Sequence, residues 1–129
     1  MILSGGNQSG MGNTAAALNE KWGTTSAHYI REFYQYGAVA AYMGEELGIV
    51  QPTRDGFHDD FVITTIMMVT DPTSVRYDQR VAANSAMING LSIAPKEAAI
   101  ETGKKLLQFR VNQTVAAIKA AISGTDGDR

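Results

Sequence analysis

Residues 55–61 read Asp-Gly-Phe-His-Asp-Asp-Phe, placing one of the chain's two histidines directly before a pair of carboxylates. A histidine there has three uses: general acid–base catalysis, metal ligation, or decoration of a helix start. Imidazole titrates near neutral pH, and an adjacent carboxylate raises its pKa or fixes its tautomer, which suits proton transfer. The helix-start use needs only an aspartate to cap the first amides of the apolar run at 61–69. Asp59 and Asp60 cannot both face one site from a single helical turn. Asp60, two residues beyond His58, is therefore assigned as orienting group or ligand, and Asp59 as the cap. The second histidine, His28, lies in Ser-Ala-His-Tyr at the end of a short strand signal. Taken alone it is a structural histidine. Counted as a ligand, it joins His58 and Asp60 in one open metal site of three ligands and a water.

The elements that must position these groups are mostly helical. Residues 4–12, SGGNQSGMG, form a polar glycine-rich loop in which Asn7 or Ser9 can cap the next helix. The loop lacks the Gly-Lys-Ser/Thr of a phosphate loop, and Ser4 lacks the Gly-x-Ser-x-Gly setting of a nucleophile. Met11, Ala15, Leu18 and Trp22 then recur at helical spacing, with Gly23 as the stop. A second helix is expected over 38–47, ended by Gly48. The run FVITTIMMV at 61–69 has the propensity of a strand. An aspartate before it and Asp71-Pro72 after it favour a buried helix. Another short helix is expected within 72–86, beginning at Pro72. The longest element, 95–122, sets Ile100, Gly103, Leu107, Val111, Thr114, Ile118 and Ile122 on one face, with Glu97 in its first turn and Gly124 closing it. Residues 123–129 read as a flexible tail. Tyr29, Phe33, Tyr34 and Tyr36 either pack as core or wall a small-molecule pocket.

Composition narrows the class. A chain of 129 residues holds one domain. The net charge of −2 and the lack of a basic run with interleaved aromatics argue against nucleic acid as a partner. No apolar stretch reaches the ~20 residues of a membrane span, and the first residues lack the regions of a signal peptide. A cytoplasmic protein that touches no membrane is the expectation. With no cysteine, a disulfide framework and a thiolate zinc site are both excluded.

Two motifs in order, SGGNQSGM at 4–11 and DGFHDDF at 55–61, together with DPTSV at 71–75 and a long terminal helix, resemble the creatininase (creatinine amidohydrolase) family. In that family a strand ends in an Asn-Gly-His-Gly-Gly-Asn-like loop, and a Gly-x-His motif with an active-site histidine comes later. Gly5, Gly6 and Asn7 match the loop, His58 the later histidine, and Thr64 the threonine after it. Ser4 stands where many members carry a ligating histidine, and Ile63 where they carry a glutamate. The family's Glu-x-His pair and a further aspartate have no counterpart among these residues.

The resemblance implies an α/β fold over 1–122. Helices pack on a short, mainly parallel sheet, as in the C-terminal half of the creatininase-like three-layer fold. It implies a hydrolase that opens a cyclic amide, a related C–N bond or a lactone in a small-molecule substrate. His58 and Asp60 would then be catalytic, and Ser4, Gly5, Gly6, Asn7 and Tyr34 would line the substrate site. A divalent ion, zinc or manganese, would be held through His58, Asp60 and His28. The ligand count falls short of the family's two-ion centre, so the enzyme is expected to be incomplete without an N-terminal half from a complementing chain. The alternative is a non-catalytic remnant or assembly subunit, with neither metal nor chemistry. A short leading strand and uncovered apolar faces favour a homo-oligomer in either case.

Overall fold

A computed structural model of the chain describes residues 2–3, 8–53, 56 and 58–126. Its helices are α1 (Gln8–Trp22), α2 (Tyr36–Glu45), α3 (Phe61–Thr70), α4 (Tyr77–Ala82) and α5 (Lys96–Asp126), with 3-10 turns at Arg31–Tyr34 and Pro72–Val75. The strands β1 (Ile2–Leu3), β2 (His28–Tyr29), β3 (Met87–Ile88) and β4 (Leu91–Ser92) have two residues each. β1 pairs parallel with β2, Ile2 opposite His28, and β3 pairs antiparallel with β4, Ile88 opposite Leu91.

This corrects the expected fold class. The described residues are mostly helical, with two separate two-stranded pairs, and they do not form helices packed on a mainly parallel sheet or half of a three-layer α/β fold. The reason is physical. A sheet able to bury helices needs three or more strands with an apolar face, and the run with the highest strand propensity, 61–69, is helical. β2 stops after Tyr29 because the chain turns into the 3-10 segment at Arg31.

The helix over 61–70 is decided at its ends. Asp60, in extended backbone, is the N-cap: its Oδ1 accepts the Ile63 amide at 2.8 Å, and its carbonyl accepts the Thr64 amide at 2.9 Å. Such a cap contributes about 1 kcal/mol. Gln51 Oε1 accepts the Phe61 amide at 3.0 Å, so a further amide of the first turn is satisfied. Inside the helix, the fully buried Thr65 donates its hydroxyl to the Phe61 carbonyl at 2.9 Å. At the far end the Asp71 amide donates to the Met67 carbonyl, and the Asp71 carboxylate accepts the Thr73 hydroxyl at 2.7 Å and the Thr73 amide at 2.9 Å. The Thr73 hydroxyl first, and its amide second, hold the Asp71 carboxyl below the usual carboxylate range.

The chain divides into two compact units, Met1–Tyr36 with Arg110–Arg129, and Gly37–Phe109. In the first, Ala15, Ala27 and Ile30 are buried, and the Asn19 amide clasps Ala27, donating to its carbonyl at 2.8 Å and accepting its N–H at 2.7 Å. Arg110 donates to the Phe33 carbonyl at 2.9 Å and lies over the Phe33 and Tyr36 rings. In the second, Met43, Phe61, Met68, Ile93, Ala99 and Leu106 belong to one buried cluster, and burying a side chain as large as Leu or Met stabilises by about 1.5–3 kcal/mol. α5 contributes Ala99, Gly103 and Leu106 to this core. The stripe expected from spacing is therefore rotated: Leu107 is half-buried, while Val111 is exposed. α5 also runs through Gly124 to Asp126. Among the described residues no helix is long and apolar enough to cross a membrane.

Candidate functional site

The Gly37–Phe109 unit contains a cavity of about 360 Å³. Its polar lining is His58, Asp59, Thr64, Ser74, Arg80 and Asn89, and its apolar lining is Met67, Val75, Met87 and Ile88. Four segments deliver these groups: the approach to α3, α3 itself, the 3-10 turn with α4, and the β3–β4 hairpin.

Each polar group is placed by a local cause. Gly56 has φ +85°, and a Cβ built there would lie 2.5 Å from Asp59 Oδ1. Only glycine gives the backbone this turn with the carboxylate so close. Thr64 lies in the first half of α3 and is 7% exposed, and its hydroxyl makes no hydrogen bond among the described residues. Ser74 donates its hydroxyl to the Asp71 carbonyl at 2.7 Å. Arg80 Nε donates to the Val75 carbonyl at 3.0 Å, which fixes one edge of the guanidinium. Asn89 and Gly90 turn the hairpin with φ +48° and +82°, the positive pair that an Asn-Gly turn provides. Asn89 Nδ2 then donates to Gln51 Oε1 at 3.2 Å, on the same oxygen that accepts the Phe61 amide.

The helix cap falls to Asp60 and not, as spacing suggests, to Asp59. Asp60 commits Oδ1 to the helix cap, whereas Asp59, assigned to the cap by spacing, lines the cavity beside His58. Among the described residues no hydrogen bond fixes the His58 ring. His28 is half-buried in β2, within the other unit. Tyr34 belongs to that unit as well, its ring edge-on to Phe33 at 5.1 Å and to Tyr36 at 6.0 Å. Ser4, Gly5, Gly6 and Asn7 lie outside the described residues, as do Asp55 and Phe57 of the histidine motif.

Ser74, Arg80 and Asn89 enter the cavity without having been expected there. The Asn89-Gly90 pair between Met87-Ile88 and Leu91-Ser92 is a hairpin signal, and it is the cue by which Asn89 can be found. An arginine on a short polar helix carries no such cue.

Among the described residues no group of three histidine, aspartate or glutamate side chains gathers to hold a metal ion. The cavity offers instead an imidazole, a carboxylate, two hydroxyls and a guanidinium with one edge already tied. No protein-family model, curated protein or solved structure matches the chain.

Proposed function

We propose that the chain is the His58-bearing subunit of a hydrolase that opens a cyclic amide, a related C–N bond or a lactone, as the motif resemblance to creatininase implies. The observation that carries this reading is the cavity that His58 and Asp59 line together, with Ser74, Arg80 and Asn89 around them. The proposal concerns the chemistry of the site, and the creatininase layers have no part in it.

In this chemistry His58 accepts a proton from water as the water oxygen bonds to the carbonyl carbon. The proton passes to the leaving nitrogen or oxygen as the C–N or C–O bond breaks, and one water is consumed. A carboxylate lining the same cavity stabilises the imidazolium that forms between the two steps. Zinc or manganese, with its ligands, belongs in this proposal to a complementing chain, and cytoplasmic residence goes with it. Isolated with its bound partners, the protein should release the ring-opened product from at least one of a set of small lactams, cyclic ureas and lactones, followed by mass spectrometry. Release from none of them would remove the proposal.

One observation favours the alternative, a non-catalytic assembly subunit. Val111 and Val115, one turn apart on α5, are 44% and 42% exposed, and Trp22 is 47% exposed. Apolar side chains left in water on neighbouring turns mark association surfaces. Both readings make the chain a homo-oligomer or the complement of another chain. Light scattering on the purified chain should give the mass of a dimer or larger. A stable 13.8 kDa monomer with a cooperative melt would contradict the homo-oligomer.

A further inference from the structure

We infer that Arg80 and Thr64 make the His58 cavity a receptor for small molecules that carry a carboxylate, so that the substrate class is an amide or cyclic amide with an acid group. The inference rests on the cavity being the substrate site. Arg80 reaches the cavity from α4 with Nε tied to the Val75 carbonyl at 3.0 Å. That bond orients the guanidinium and leaves its terminal nitrogens for a ligand. Among the described residues the ion pairs are Lys96 with Asp78 and Lys104 with Glu101, so no carboxylate of the described chain forms a direct ion pair with Arg80. A guanidinium held this way presents the donor fork that matches a carboxylate.

Thr64 supplies the second, independent observation. The residue is 7% exposed and lines the cavity, and its hydroxyl makes no hydrogen bond among the described residues. A hydroxyl both donates and accepts, so a ligand oxygen or amide in the cavity can pair with it.

Asp59 decides between anions. It lines the same cavity, so its charge offsets that of Arg80 and repels a dianion such as phosphate. A monoanion at Arg80 that turns an N–H toward Asp59 meets both groups, and an amide bearing a carboxylate has this pattern.

Calorimetric titration of the full chain with N-acetylglycine, its neutral amide N-acetylglycinamide, and inorganic phosphate tests this. The acid should bind at least about tenfold more tightly than the amide or phosphate, the difference expected of one charge-assisted contact. Arg80→Gln should remove that preference, Arg80→Lys should keep part of it, and Thr64→Val should weaken both organic ligands several-fold. Equal affinity for acid and amide in the unaltered protein, or phosphate binding as well as the acid, overturns the inference whatever the variants do. Acid-selective, Arg80-dependent binding in a protein that hydrolyses nothing would uphold this inference and remove the hydrolase. Hydrolysis without any preference for acids would do the reverse.

Discussion

Replacing Gly103 with alanine should lower the stability of the Gly37–Phe109 unit, although alanine is the better helix former by about 1 kcal/mol. α5 crosses α3 at this residue: a Cβ built on Gly103 would collide with the Thr65 carbonyl and come within 2.9 Å of Val69 Cγ2. The obstacle is mainly backbone, held by α3's own hydrogen bonds, so it cannot swing aside as a long side chain would. Overpacking of this kind typically costs about 1–3 kcal/mol, and the helices must part to relieve it. Their separation would also loosen Ala99, Leu106 and Met68, which share the core cluster. The thermal midpoint should fall by roughly 5–10 °C for Gly103→Ala, and further for Gly103→Val. A midpoint that stays or rises would mean that α3 and α5 do not meet there.

Much of the helical layout is legible in the residues alone. FVITTIMMV has the composition of a strand, yet its bounding residues, an aspartate before it and Asp71-Pro72 after it, correctly favour a helix. Caps act locally and can be read locally. Which aspartate caps is not legible, because Asp59 and Asp60 are equally good acceptors. The choice falls to Asp60 through its extended backbone, φ −73° and ψ 172°, with Asp59 turned against Gly56. Fold class fails for a different reason. Short motifs fix neither strand length nor the number of strands, and pairs of two residues cannot form the sheet that the family resemblance implies. Arg80 escapes notice because its place depends on Arg76, which begins α4 from a left-handed backbone at φ +51°. Arginine shows no preference for that conformation, so no residue type announces the turn. The glycine loop at 4–7 lies outside the described residues, and its match to the family remains one of sequence.

His58→Asn should lower turnover of a cleaved lactam or lactone by about 10²-fold or more, the scale of a lost general acid–base group. Asparagine keeps a polar side chain of similar reach but cannot take and return the proton. Stability should barely change, within about 0.5 kcal/mol, because His58 is exposed in the approach to α3 and makes no hydrogen bond among the described residues. A residue that served only the fold would show the opposite pattern, with turnover kept and the midpoint lowered. The decisive measurement is therefore kcat for His58→Asn against the unaltered chain, each isolated with its bound partners, with melting curves on the same samples. A fall of two orders of magnitude at an unchanged midpoint is the expected result. Full turnover in the variant would contradict His58 as the acid–base group and remove the assignment of this cavity as an active site.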